Sequence, residues 1–294
     1  MATFGTIVQM LLRSLETGSV YALAALAIIV IFRTSRVLHF AQSTMSMFSA
    51  YFVASMISIL KLPLWSAFLL GVGVAVVAAF LVDFIIIRRV KNAASASKEI
   101  ITFGLIMVFL GMVPVLFGVD PLQMPRALPQ TQVNLFADAS ISYNSIFNIG
   151  IVILIMAALF YLLQKTKLGL AIRSTASNEP TARLMGVHTR NITLFAWILA
   201  GVLGLMSGVM IAPASVVTPT FMNPVQVSAL FACVLGGFQT FYGPVLAAYI
   251  IAVANNFLLY FNSAWGTQIM YVLVLLFLVI RPNGLVGKRF VKKV

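Results

Sequence analysis

The stretch Leu64–Ile87 reads LWSAFLLGVGVAVVAAFLVDFIII, is closed by Arg88-Arg89, and holds a single charged residue, Asp83. A bilayer core needs about 20 predominantly apolar residues in helical form. This run meets that length and places a basic pair where the helix reaches water. The pattern recurs outward in both directions. Gly18–Phe32, Ile100–Val119, Ile146–Leu163, Ile192–Ala212 and Ala264–Ile280 are further apolar runs. Ala2–Leu15, Ala41–Leu60, Gln226–Phe238 and Val245–Phe261 are shorter or more mixed. The 294-residue chain is 62% hydrophobic and 9% charged, against about 45–50% and about 25% in soluble domains. The fold class that follows is all-α, a polytopic transmembrane bundle of about 8–10 spans. No stretch between the runs is long or polar enough for a soluble domain, so residues 1–294 read as a single transmembrane domain.

A net charge of +13 raises nucleic-acid binding in a soluble chain, but here the positions decide otherwise. All but three of the 19 basic residues fall in Arg33–Arg36, Arg88–Lys98, Lys165–Arg190 and Arg281–Lys293. These are short gaps between apolar runs or the C-terminal end, and clustering of this kind marks the cytoplasmic face. Ten alternating segments put every cluster on that face and both termini in the cytoplasm. Asp83, close to Arg88 and Arg89, reads as an interfacial ion pair.

Two polar interruptions stand out: Arg33–Gln42, containing His39, and Phe238–Pro244, containing Gln239 and Thr240, which follows Gly236-Gly237. Irregular backbone at membrane depth must face protein or a wet cavity, so such breaks point toward a solute path. The segments flanking them lie five crossings apart and run in opposite senses, as in an inverted repeat. His39, Gln42, Ser43, Gln239 and Thr240 are the pathway candidates, with Asn255 mid-segment. Break residues also cap helix ends, and a mid-membrane amide also bonds neighbouring helices, so both uses stay open here.

The loop 164–190 is the most structured connection. Asn178 or Ser177 suits an N-cap, Glu179 and Pro180 suit a first turn, and Gly186 suits a C-terminal stop. One helix of about two turns follows, offering Ala182, Leu184 and Met185 to a partner.

At these residues the chain resembles the permease subunits of ATP-binding-cassette transporters, specifically the branched-chain amino acid permease family. Thr166, Gly169, Ala171, Ile172 and Arg173, then Ala182, Gly186 and Val187, follow the family's coupling-helix pattern. Gly18–Leu26, His39–Gln42, Leu235-Gly236-Gly237 and Arg281–Gly287 follow four further patterns in register. His39 stands where the family has Asn, Ser43 where it has Gly, and Ala247 and Ala248 where it has glycines. The resemblance implies an importer permease in a bacterial-type inner membrane, working by alternating access. It implies a second permease chain (related or identical), two ATP-binding subunits and an extracytoplasmic binding protein. Gly169, Arg173, Ser177, Glu179, Ala182, Leu184 and Gly186 become the ATPase-coupling candidates. The solute implied is a branched-chain amino acid or a related small polar or organic-acid compound.

The residues themselves show no paired carboxylates, no Ser/His/Asp arrangement and no metal-ligand set. Gly284–Lys288 lacks phosphate-loop spacing. The expectation is a non-enzymatic chain with no cofactor or metal of its own and ATP bound by a partner. The alternative is an ion-coupled secondary transporter or a channel, which needs midplane acids or a charge ring.

Overall fold

The computed structural model describes residues 4–90, 95–118, 120–134, 139–282 and 284–286, without the side chains of Ser95 and Ala96. The basic residues Lys288, Arg289, Lys292 and Lys293, and the motif positions Asn283 and Gly287, lie outside these. Along the chain come α1 (Phe4–Ser35), α2 (Gln42–Leu60), and α3 (Leu64–Leu81), which continues as a π-helical turn Val82–Ile87. Then come α4 (Ser95–Phe117), a hairpin of β1 (Gln132–Asn134) and β2 (Ser140–Ser142), and α5 (Tyr143–Lys165). Two short helices follow, α6 (Lys167–Ser177) and α7 (Glu179–Leu184). The last four are α8 (Thr189–Ile211), α9 (Asn223–Gly236), α10 (Tyr242–Phe261) and α11 (Gly266–Ile280). Seven helical stretches among the described residues are long and apolar enough to span a bilayer, and α9 and α11 are shorter apolar helices.

The helices wear their apolar residues outward as well as inward. Val115 is 82% exposed, Leu154 70% and Val279 81%. A water-soluble chain does not expose such patches; lipid makes them neutral.

The sequence divides α1 into two segments, yet it is continuous. The polar residues at the division do not need to leave the helix. The Ser14, Thr17 and Ser19 hydroxyls donate to the carbonyls of Met10, Arg13 and Leu15, four residues back. The Glu16 carboxylate accepts from Ser145 Oγ of α5 at 2.7 Å. Among the described residues the apolar helices are therefore nine, within the expected 8–10.

The chain forms two compact units. One comprises Val30–Pro125 and Leu154–Gln226. Here α2 is the buried helix, packed on α3, α4 and α8. It buries Gln42, Ser43, Thr44, Ser46, Ser49 and Ser55. Ser46, Ser49 and Ser55 donate to carbonyls one turn back, which satisfies hydroxyls without an external partner. Close approach on α8 depends on Gly204, where an added Cβ lies 2.7 Å from Gln42 Nε2 and against Ser46 Oγ. The π-helical turn places Asp83 in the interior, where its carboxylate accepts from Arg88 Nε at 2.8 Å, the pair expected from the sequence.

The other unit comprises Met1–Ile29, Arg126–Ile153 and Val227–Val294. There Ser19 and Tyr249 share a 3.0 Å hydroxyl contact, and Asn256 Nδ2 donates to Ser14 Oγ at 2.9 Å. Interhelical hydrogen bonds of this kind hold helices together where lipid removes the hydrophobic drive. The Leu285 N–H donates to the Leu235 carbonyl at 2.7 Å, so the residues after α11 fold back on the end of α9.

Candidate functional site

The loop after α5 holds two helices where the sequence predicts one. Thr166 N-caps α6, its hydroxyl accepting from the Gly169 N–H at 3.1 Å. Gly169 lies against the last carbonyls of α5, from Leu162 and Leu163, where no side chain fits. Arg173 donates to the carbonyls of Leu163 at 2.7 Å and Gln164 at 3.2 Å, satisfying groups that a helix end leaves open. Asn178 then N-caps α7, accepting from the Thr181 N–H at 3.1 Å, as expected. The stop is also as expected: Gly186 has φ +83°, and the Val187 N–H reaches the Ala182 carbonyl at 3.0 Å.

One side chain departs from expectation: Ala182, expected to be offered to a partner, is buried. Arg173 is engaged by α5, and Arg183 pairs with Glu179 one turn back at 2.7 Å, with Thr189 bonded to both. What α7 presents outward is Leu184, 88% exposed, followed by Met185, 80% exposed. Ser177 is exposed as well.

The first break, Arg36–Ala41, lies between α1 and α2 in the same unit as this loop. Helix α2 runs beside α8 in the same direction: Gln42 Nε2 donates to the Ala200 carbonyl at 3.0 Å, and Ala50 faces Gly208. Ala200 is about half-way along the 23-residue α8, so α2 begins well inside the membrane. The Ser43 N–H donates to Gln226 Oε1 at 2.9 Å, joining the first turns of α2 and α9. On the alternation set by the basic clusters, these helices are approached from opposite faces. Their starts meet at depth, the geometry of discontinuous helices around a buried site.

The backbone of the break is partly satisfied by Thr102 of α4, whose hydroxyl accepts from the Phe40 N–H at 3.3 Å. Several side-chain atoms are not satisfied. His39 is fully buried edge-on against Trp197, ring centroids 4.6 Å apart, and neither ring nitrogen has a partner among the described residues. Gln42 Oε1 and Gln226 Nε2 are likewise buried and unpartnered among the described residues. One amide thus offers a lone acceptor and the other a lone donor beside a neutral-capable imidazole. A buried unsatisfied polar group costs about 1–3 kcal/mol, and such costs gather where a polar guest is received. Gln226 was not among the sequence candidates; the signal for it was an amide opening an otherwise apolar segment.

The second break belongs to the other unit. Thr240 Oγ1 accepts from the Gly243 N–H at 3.2 Å, a cap for α10. Gln239 is exposed, and Asn255 is buried further along α10 with its Oδ1 unpartnered. The six pathway candidates therefore divide: His39, Gln42 and Ser43 are joined around one point, while Gln239, Thr240 and Asn255 are spread over another unit.

Residues 10–280 match the family described as the permease component of branched-chain amino acid transport systems. The probable branched-chain amino acid transport permease protein LivH of Methanocaldococcus jannaschii is 26% identical over 293 residues, covering 93% of this chain and 91% of that one. The autoinducer 2 import system permease protein LsrC of Yersinia enterocolitica is 31% identical over 141 residues, 45% of this chain and 39% of that one. Among solved structures, PsaBC from Streptococcus pneumoniae in complex with Fab is 16% identical, with a TM-score of 0.51 over 91% of this chain and 89% of that one; that likeness concerns the fold. A polytopic helix bundle and a family match over nearly the whole length agree: the chain belongs to the family of branched-chain amino acid transport system permease components.

Proposed function

We propose that this permease imports a small solute, with a branched-chain aliphatic amino acid as the leading class, by alternating access in a bacterial-type inner membrane. A binding protein delivers the solute from outside. Two ATPase subunits on the inner face drive the change, and a second permease chain completes the path. The first break receives the solute polar groups through Gln42, Ser43, Gln226 and His39, and α6–α7 is the coupling element.

The observation that carries this reading is a physical link between the loop and the break. The Arg36 guanidinium donates to the Ala176 carbonyl near the end of α6. Six residues further on, Gln42 opens α2. Arg173 and the Thr166 cap lock α6 onto α5, and the Glu179–Arg183–Thr189 bonds lock α7 onto the start of α8. A push on Leu184 and Met185 therefore moves a stiff element that holds the lower end of the break. An ion-coupled carrier needs an acid at the site, and the side chains proposed to receive the solute, His39, Gln42, Ser43 and Gln226, include none.

Replacing Leu184 and Met185 together with Asp removes the apolar contact the coupling element offers. The chain should still insert and melt as before, yet fail to retain the ATPase subunits on affinity purification. Undiminished copurification and uptake in that variant would refute the assignment. Uptake driven by an ion gradient in ATP-free vesicles would favour the secondary-transporter reading.

A further inference from the structure

We propose that the unit built around α2 holds an anionic phospholipid at its inner face, headgroup in a basic cavity and one acyl chain in the groove between α3 and α4. The cavity, about 880 Å³, lies among the ends of α1, α3, α4 and α8 and the helix α7. Its charged lining is Asp83, Arg88, Lys98, Glu179, Arg183 and Arg190. Both acids are already matched, Asp83 by Arg88 at 2.8 Å and Glu179 by Arg183 at 2.7 Å. Lys98 and Arg190 have no carboxylate within ion-pair distance among the described residues, Arg190 acting on Asp83 only at longer range, so four cations face two carboxylates. The cavity is thus a neutralised frame with two surplus cations, and Thr34, Ser35 and Thr193 add hydroxyls.

The groove, about 500 Å³, is lined by apolar residues, among them Val77, Val82, Ile85, Val108 and Met112. Its rim is open to lipid: Val77 is 56% exposed and Val108 53%. The two spaces share one structural element. The π-helical turn Val82–Ile87 gives Asp83 and Ile87 to the cavity and Val82, Ile85 and Ile86 to the groove. Widening the helix by one residue at this turn lets successive side chains serve both spaces. A ligand that fits both must be anionic at one end, a long apolar chain at the other, and present in the membrane plane. A phospholipid with a net negative headgroup meets all three conditions. Basic pockets between helices on the cytoplasmic side are suited to such headgroups, and surplus cations disfavour a zwitterionic one. The inference rests on the membrane placement of the chain and not on the coupling role of α7.

The test is lipid retention on the purified full-length permease after detergent washing, read by mass spectrometry of extracted lipid. The wild type is predicted to keep phosphatidylglycerol and release phosphatidylethanolamine. The Lys98→Gln/Arg190→Gln variant should retain phosphatidylglycerol on the order of tenfold less well. Val77→Trp, which fills the groove from its open rim, should lower retention with every charge in place. In nanodiscs, adding phosphatidylglycerol to phosphatidylcholine should raise the Tm of wild type and not of either variant. Equal retention of both lipids by the wild type overturns the proposal without recourse to any variant. So does a Tm shift reproduced by inorganic phosphate alone, which would assign the cavity to a soluble anion. Retention untouched by both the charge and the groove changes would overturn it too.

Discussion

The two breaks in the helical run look alike in sequence and differ in what they leave undone. Around Arg36–Ala41, buried polar atoms of His39, Gln42 and Gln226 end without partners, although Thr102 serves the backbone. Around Gly237–Phe241, the chain closes on itself: Thr240 caps α10, Gly236 lies against the backbone of Gly243, and Leu285 bonds the end of α9. A break alone is therefore a weak mark of a site. Unmet hydrogen-bonding capacity at depth separates a receiving point from a tight turn.

Substituting the glycines should show the largest contrast. At Gly236 a methyl group meets backbone atoms of Gly243, which cannot move aside, whereas at Gly204 it meets the ends of the Gln42 and Ser46 side chains. Gly236→Ala should lower stability by about 3 kcal/mol or more and Gly204→Ala by about 1–3 kcal/mol, read as thermal unfolding in detergent. Equal losses would remove the distinction between a closed break and an adaptable one.

Transport should separate the breaks next. Gln226→Leu deletes both the acceptor of the Ser43 N–H and a free donor. It should weaken apparent solute affinity roughly 10- to 30-fold, as expected for about 1.5–2 kcal/mol of polar contact. Gln239→Leu at the second break should change uptake less than about twofold. Concentration-dependent uptake in proteoliposomes decides, and the reverse order would move the site to α10.

The smallest effect compares two threonines. Thr102→Val leaves the Phe40 N–H without its acceptor inside the protein and should lower stability by about 1–3 kcal/mol. Thr240→Val removes a helix cap and should lower it by about 0.5–1 kcal/mol. Chemical unfolding of the two variants side by side measures the difference.

How much of this was legible in the residues depends on the kind of signal. Membrane helices follow from apolar length, and α7 from Asn178, Glu179, Pro180 and Gly186, because each acts locally. The continuity of α1 was hidden, since Ser14, Thr17 and Ser19 look like helix breakers until their hydroxyls are seen folding back on the helix. The start of α6 carries a local signal, Thr166 capping the Gly169 N–H, whereas no local pattern encodes its docking through Arg173, which reaches nine or ten residues back to α5. Gln226 escaped because its partner, Ser43, is distant in sequence, and no local pattern encodes such a meeting. His39, Gln42 and Ser43 were singled out through their position in a break, but only the structure distinguishes their surroundings from those of Thr240.

The central claim is that the inner loop grips the first break through Arg36. Arg36→Leu in proteoliposomes, with the proposed ATPase and binding-protein partners, tests it by following hydrolysis and uptake in the same preparation. With the melting temperature unchanged, hydrolysis should continue while uptake falls on the order of tenfold, consistent with loss of a charge-assisted hydrogen bond. Uptake that stays in step with hydrolysis, whether both persist or both fail, would contradict that link.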